Sequence, residues 1–383
     1  MDTDFITIGI DARSITAPYP AGPEKYLTNL IRNLSKVDHR NKYFLYVSEK
    51  ADGAFVKALL NNNSNFKLIF VGNFPLNTQL ALGFSLIKNP VDVFFSSVHT
   101  LPLITLLRRK TKIILMVHGI DNRYAPYYSN IPKRLIISLL LKMSIRCANK
   151  VIAPSSHSKK QILTFSHILE GKIEVIHEGL DEEKTLPNTN SLNTLHKLKL
   201  AAKWYFLCVS TIQPRKNIQT ILAAFENFLI QTGIQDFKLV LVGKNGWGYG
   251  KLLKTIRQST AGKSIVLAGR VQDYELAELY KNAKAFISAS FDEGFGLPAI
   301  EASQFRCPLI LSNIETYQEL LEDSADFFDP TDTKQLTALL IKHTLTNPPD
   351  SHIEQAYEKT KELTFANTAK KTLAVFENSF KNL

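Results

Sequence analysis

The chain has 383 residues, 45% of them hydrophobic and 21% charged, with a net charge of +11 and three cysteines. That length favours two α/β domains over a single core, and the composition is that of a globular protein, which excludes fibrous, disordered and disulfide-stapled classes. The longest apolar run, residues 135–141 (LIISLLL), falls far short of the roughly 20 residues a bilayer span requires, and no signal-peptide pattern is present, so the expected location is the cytoplasm.

Residues 5–11 (FITIGID) read as a buried strand, and an amphipathic helix containing Asn29, Leu30 and Ile31 follows the Ala21-Gly22-Pro23 turn. Further apolar runs recur at 43–47, 67–71, 91–95, 113–117 and 151–153, separated by helical or turn-rich stretches. Short strands alternating with helices imply a mainly parallel sheet covered on both faces. Within this half, residues 133–150 (KRLIISLLLKMSIRCANK) predict an amphipathic helix. Leu135, Ile136, Leu139, Leu140 and Met143 share one face, and Lys142, Arg146 and Lys150 fall four apart on another. Two uses of that helix stay open: packing on the sheet with its basic side in solvent, or peripheral association with an anionic membrane surface. The excess of basic charge belongs to this half, since residues 1–184 hold 24 Lys and Arg against 15 Asp and Glu, whereas 185–383 hold 22 against 20. An anionic partner such as a phosphorylated substrate or a lipid headgroup fits that imbalance. Nucleic acid does not, because basic clusters such as Arg108-Arg109-Lys110-Thr111-Lys112 lack interleaved aromatics and any reader motif.

The pattern weakens after Gly179-Leu180-Asp181, and residues 185–200, rich in Asn, Ser and Thr, are expected to be the linker. A second copy of the architecture follows, with strands at 205–210, 238–242, 265–268, 285–288 and 308–312 and helices between them. The final segment, 351–383, is helical by pattern. Two such Rossmann-like halves would leave a cleft between the carboxyl ends of their strands, where doubly wound sheets bind ligands. Cys147, Cys208 and Cys307 sit in apolar contexts without a C-x-x-C pair, so buried free thiols are expected and metal ligands are not.

The richest segment for chemistry is 288–302 (SASFDEGFGLPAIEA). A strand leads into Gly294-Phe295-Gly296, and Leu297-Pro298 opens a helix, with proline where its missing N–H costs nothing. Backbone N–H groups of Gly296 and Leu297 and the positive end of the helix dipole suit a diphosphate. Glu293 precedes the turn and Glu301 lies eight residues later, so one carboxylate can face a sugar while the other accepts from ribose hydroxyls. In 210–217 (STIQPRKN), Arg215 and Lys216 follow a proline turn and can neutralise a diphosphate, the guanidinium as a fork and the ammonium as a point charge. Taken alone, each segment has a bland alternative, a structural turn for the first and a solvated turn for the second.

These blocks together resemble the retaining glycosyltransferases of family 4, also called glycosyltransferase group 1, over nearly the whole chain. FDEGFGLPAIEA carries that family's E-x7-E signature, and STIQPRKNIQTILAAF, LVLVGKNGW, VLAGRVQDYELAELYKNAKAFISAS and FFDP are similar to its C-terminal landmarks. IGIDARS, VHGIDNRYAPYYS, ANKVIAPSSHSKKQI and KIEVIHEGLDEE follow in family order in the first half. The resemblance implies a GT-B fold: an acceptor-binding Rossmann-like domain over 1–184, the linker 185–200, a nucleotide-sugar-binding domain over 201–350 and the helical segment 351–383. It implies that Arg215 and Lys216 hold the donor diphosphate, that Glu301 binds the ribose, that Glu293 contacts the transferred sugar and that His118 lies near the anomeric carbon. Arg270 and Val271, after Gly269, match the loop whose backbone meets the base. For His118 a buried structural histidine is the alternative.

Two departures from the family stand out. The family often has His-Asp where this chain has His118-Gly119, with Asp121 nearby but displaced. In the first β-loop-α turn many relatives have a second small residue where Pro23 follows Gly22; proline cannot donate to a phosphate, although Gly22 can.

The implied reaction transfers a hexose, with mannose the leaning, from a GDP- or UDP-linked donor to a saccharide or lipid-linked acceptor in cell-surface polysaccharide synthesis, at the inner face of the plasma membrane in the peripheral reading. No cofactor is expected, and no metal, because Arg215 and Lys216 would take the place of the divalent ion that other sugar transferases use. A non-hydrolysing sugar-nucleotide epimerase shares the GT-B architecture, and an inactive scaffold is the non-enzyme alternative raised by Gly119 and Pro23.

Overall fold

The computed structural model describes residues 5–15, 22–60, 63–72, 80–97, 101–102, 110–120, 131–180, 192–246, 248–346 and 349–381, with only the backbone of 131–134, 192 and 193. The chain forms two compact units, one of Met1–Gly179 with Leu363–Leu383 and one of Leu180–Glu362.

The first unit is built on a parallel sheet of β1 (Thr7–Asp11), β2 (Lys42–Ser48), β3 (Phe66–Val71), β4 (Val93–Ser96), β5 (Lys112–Met116), β6 (Lys150–Ala153) and β7 (Ile173–Val175). Their order is β3-β2-β1-β4-β5-β6-β7, so the sheet reverses direction between β1 and β4, the doubly wound arrangement. Inner strands such as β4 (VFFS) are buried along their whole length, which is why they read as unbroken apolar runs. One face packs against the helix Pro23–Val37, through Tyr26, Leu27, Leu30, Ile31 and Leu34, and against the helix Phe365–Lys381. The other face is covered by the helices Ala81–Lys88, Ile131–Cys147 and Ser156–Ser166.

The second unit holds β8 (Tyr205–Val209), β9 (Lys238–Val242), β10 (Ile265–Gly269), β11 (Ala285–Ser288), β12 (Leu309–Ser312) and β13 (Asp326–Phe328). All pairs are parallel, in the order β10-β9-β8-β11-β12-β13, and here the reversal lies between β8 and β11.

Three expectations change. The units do not break where the sequence suggested: residues 181–191 lie outside the described residues, Leu192–Lys197 is a helix tied to the second unit by Lys197 Nζ on Glu275 at 2.9 Å, and segment 351–383 divides. Its helix Asp350–Thr360 stays with the second unit, whereas Phe365, Ala369 and Phe376 bury in the first unit's core. In the helix Ile131–Cys147 the face turned to the core is Leu141, Ser144 and Ile145; Leu135, Ile136 and Leu139 are 64%, 59% and 59% exposed. The basic positions are not a free stripe, since Arg146 Nε donates to Ser166 O at 3.0 Å and Lys150 Nζ to Gly171 O at 2.8 Å. Finally, Cys208 and Cys307 are buried free thiols, but Cys147, near the end of that helix, is exposed.

Candidate functional site

Arg215 and Lys216 leave β8 in a single 3-10 turn, Pro214–Lys216, closed by Asn217 in the left-handed region at φ 49°. Asn217 is pinned on both sides, its amide donating to Pro330 O at 2.7 Å and its carbonyl accepting from Thr220 Oγ1 at 2.8 Å. The neighbouring strand β11 delivers Glu293 to the same spot, with Phe291 N donating to Arg215 O at 3.0 Å. The pair of strands is the one at which the second unit's sheet reverses, where doubly wound sheets place ligands.

There Glu293 accepts from Arg215 Nη1 at 3.0 Å through Oε2, and from Lys216 Nζ at 2.5 Å and Ser290 Oγ at 2.7 Å through Oε1. All three charged side chains are largely buried, at 17%, 12% and 7% exposure for Arg215, Lys216 and Glu293. Burial works to raise the Glu293 carboxyl, but the charges of Lys216 and Arg215 and the hydrogen bonds from Lys216 and Ser290 outweigh it and hold the group at about 2. Burial pushes the Lys216 ammonium below its ordinary value, with Glu293 opposing and Arg215 adding to the fall. Two cations converge on one carboxylate here, and a guanidinium and an ammonium side by side are the donor types that grip an anionic ligand such as a diphosphate.

The backbone that carries the carboxylate is held from behind. Thr316 Oγ1 donates to Glu293 O at 2.7 Å, and Ser312 Oγ to Ser290 O at 2.7 Å. Beyond Glu293 the chain turns through Gly296 at φ 82° into the helix Leu297–Gln304, with Pro298 in its first turn. A Cβ at Gly296 would lie 2.4 Å from Tyr317 Cε1, so only glycine lets this turn seat against that ring. Glu301, on the same helix, is buried and accepts from Tyr280 Oη at 3.2 Å. Arg270 and Val271 follow β10, two strands away from β8, and Arg270 is exposed.

In the first unit, His118 stands just past β5, and its Nδ1 is 2.8 Å from Glu178 Oε1. Gly22 caps the helix Pro23–Val37 and is exposed. Asp11, at the carboxyl end of β1, is buried and gripped by Arg13 through Nε and Nη2, each at 2.8 Å. Asp121 lies outside the described residues.

Of the residues singled out in the sequence, then, Arg215, Lys216 and Glu293 touch one another, and Gly296, Leu297 and Glu301 continue the same strand-to-helix segment. Sequence reasoning passed over Glu178, Tyr280, Ser290 and Thr316. Glu178, Tyr280 and Thr316 meet partners 60, 21 and 23 residues away, which no local pattern shows, whereas Ser290 lies three residues from Glu293 within the segment already singled out.

Two family models match the chain, one described as glycosyl transferases group 1 over residues 195–362 and one described as glycosyltransferase family 4 over residues 20–184. The chain is similar to O-antigen chain mannosyltransferase B of Escherichia coli, 27% identical over 243 residues, which is 63% of each protein. It is also similar to serotype-specific mannosyltransferase WbdA of Escherichia coli, 37% identical over 155 residues, 40% of this chain and 19% of that protein. The chain therefore spans less than two thirds of the length of these two curated relatives. Among solved structures it is similar to HepE from Anabaena in complex with UDP and glucose, with a TM-score of 0.74 at 16% identity, over 97% of this chain and 100% of that one. That likeness shows the fold, the two Rossmann-like units of the GT-B class.

Proposed function

This chain belongs to the group 1 glycosyltransferases, and we propose that it is a retaining hexosyltransferase moving mannose from GDP-mannose to a saccharide or lipid-linked acceptor in surface polysaccharide synthesis. The observation that carries the reading is the buried cluster in which Arg215 and Lys216 converge on Glu293 at the sheet reversal of the second unit. The mannose and polysaccharide parts rest on the names of the E. coli relatives.

In this reading the glycosidic bond from the anomeric carbon to the diphosphate breaks while a bond to the acceptor hydroxyl forms on the same face of the ring. The acceptor proton passes to the donor phosphate oxygen, and the nucleoside diphosphate leaves. Charge growing on the leaving group is met by Arg215, Lys216 and the N–H groups at Gly296 and Leu297, donors already oriented before reaction. These cations do the work a divalent ion does in other transferases, so the reaction is metal-independent. Glu301 accepts from the ribose, Arg270 and Val271 border the base, Gly22 donates to a phosphate and His118 serves the anomeric centre. Peripheral attachment to an anionic membrane at the cytoplasmic face, where lipid-linked acceptors reside, draws support from the exposed Leu135, Ile136 and Leu139.

A panel of nucleotide sugars screened by thermal melting tests the donor, since a ligand at 100 times its Kd adds about 2.7 kcal/mol. GDP-mannose is expected to give the largest shift. Absence of a shift with every nucleotide sugar and nucleoside diphosphate counts against the assignment.

A further inference from the structure

The structure points to a positioning residue for His118 that the family resemblance does not supply. Relatives often carry an aspartate directly after this histidine, but here the next residue is Gly119, and its backbone is at φ 150°, a region that side-chain-bearing residues rarely adopt. A carboxylate reaches the ring from elsewhere: Glu178 Oε1 lies 2.8 Å from His118 Nδ1, across 60 residues of sequence. We propose that Glu178 orients the His118 ring and fixes its proton on Nδ1, so that Nε2 is presented as the hydrogen-bond acceptor at the reacting centre. The inference rests on the transferase reading above.

Four observations build the case. Glu178 is 6% exposed, and among the described residues no lysine or arginine forms an ion pair with it, so the imidazole is its side-chain partner. The Nδ1-to-carboxylate distance of 2.8 Å is that of a hydrogen bond, in the geometry of Nδ1–H donating to a carboxylate oxygen. His118 Nε2 has no hydrogen-bond partner among the described residues, which leaves that nitrogen for a ligand hydroxyl. The ring cannot easily turn over, because the Tyr26 ring packs edge-on to it at 4.9 Å between centroids.

The loop that carries Glu178 is itself anchored. Thr368 Oγ1 donates to His177 O at 2.9 Å, and Gly179 lies so close to the backbone of Thr364 and Phe365 that a Cβ would meet Phe365 N at 2.1 Å. The Phe365 ring in turn packs on Tyr26, with centroids 6.0 Å apart. The returning C-terminal segment thus braces both the carboxylate and the aromatic wall around His118. A bond of this kind holds tautomer and aim, the role a carboxylate plays toward a catalytic histidine.

The test compares full-length wild type, Glu178→Gln, Glu178→Asp, His118→Ala and His118→Ala/Glu178→Gln, measuring release of GDP from GDP-mannose, melting temperature and imidazole nitrogen spectra. Glu178→Gln is expected to lower kcat by roughly a hundredfold, the upper scale of losing a partner that orients a functional histidine, with little change in donor KM. Glu178→Asp keeps the charge and is expected to recover part of the rate, and it also serves if the glutamine variant folds poorly. Because Glu178 acts through His118, the double variant should be no slower than His118→Ala alone. The wild-type spectrum should show His118 protonated on Nδ1, and Glu178→Gln should lose that signature. Additive losses in the double variant, an unchanged kcat in Glu178→Gln, or a wild-type ring protonated on Nε2 would each overturn the proposal. GDP release here reads transfer of the mannosyl group to water; if wild type neither releases GDP nor is stabilised by GDP-mannose, the transferase reading with that donor fails, while the nitrogen spectra still decide whether Glu178 holds the ring.

Discussion

Lys216 Nζ and Glu293 Oε1 stand 2.5 Å apart inside the second unit, and the same carboxylate also serves Arg215. Glu293 is therefore the counterion of a site that the proposed reading fills with a diphosphate.

The first prediction removes that counterion. Losing one partner of a buried ion pair costs about 3–5 kcal/mol, so Glu293→Gln should melt well below wild type. If a diphosphate can supply the missing negative charge, GDP or UDP should raise the variant's melting temperature more than that of wild type. Equal shifts would argue that the nucleotide binds elsewhere. The pH dependence follows from the sign of the shift: Glu293 is held at about 2 against an ordinary 4.5, so its contribution is present above 4.5 and is lost as pH falls from there toward 2. Glu293→Gln should lack that part of the acid limb.

A second prediction concerns the charge that replaces a metal. Arg215→Ala with Lys216→Ala should slow sugar transfer by at least about a thousandfold, the scale of losing strong charge contacts in the transition state. The wild-type rate should survive excess EDTA. A loss restored by magnesium or manganese, or a double variant near the normal rate, would refute the division of labour proposed for this cluster.

Glu301 offers a third. Truncating it to alanine would strip the buried Tyr280 hydroxyl of its acceptor, so a fall in affinity would be mixed with a loss of about 1–3 kcal/mol of stability. Glu301→Gln keeps an acceptor for Tyr280 but is a weaker partner for two ribose hydroxyls. We expect weaker nucleoside diphosphate binding by titration calorimetry at a nearly unchanged melting temperature. Affinity equal to wild type would sink the ribose assignment.

How legible all this was depended on distance along the chain. The inner strands β1, β5, β8 and β11 show as apolar runs because both of their faces are covered, and the segment from Glu293 to Glu301 is local enough to read directly. The strands β7 and β13, of three residues each, are too short to carry a period and were not anticipated. Glu178 was hidden because its partner His118 is 60 residues away. The return of Phe365, Ala369 and Phe376 to the first core was hidden for a related reason: an apolar helical stripe announces that it will be buried, not against which unit. In the helix Ile131–Cys147 nearly every central position is apolar, so two stripes compete, and the structure buries the one through Leu141 and Ile145.

That choice of stripe frames the last prediction. With Leu141 and Ile145 turned inward, Leu135, Ile136, Leu139 and Met143 are left exposed, and Phe84 and Ile87 are exposed on the helix Ala81–Lys88, which covers the same face of the sheet. Large apolar side chains exposed together on one helix face, as Leu135, Ile136, Leu139 and Met143 are, mark an interaction surface. Full burial of a leucine or isoleucine contributes about 1.5–3 kcal/mol, so three of them entering a bilayer interface give reversible attachment. The basic side chains contribute less than their number suggests, because Arg146 and Lys150 are already bonded to carbonyl groups of Ser166 and Gly171. Wild-type protein should therefore co-sediment with phosphatidylglycerol vesicles and remain largely bound at high salt. Leu135→Ser with Ile136→Ser and Leu139→Ser should abolish co-sedimentation at an unchanged melting temperature, since these positions lie outside the core. Arg146→Ser with Lys150→Ser should instead lower the melting temperature and leave binding mostly intact. Wild type remaining in the supernatant at low salt would return the acceptor to the soluble saccharides, and binding that high salt reverses fully would assign attachment to the remaining basic charge of the first unit rather than to this apolar face.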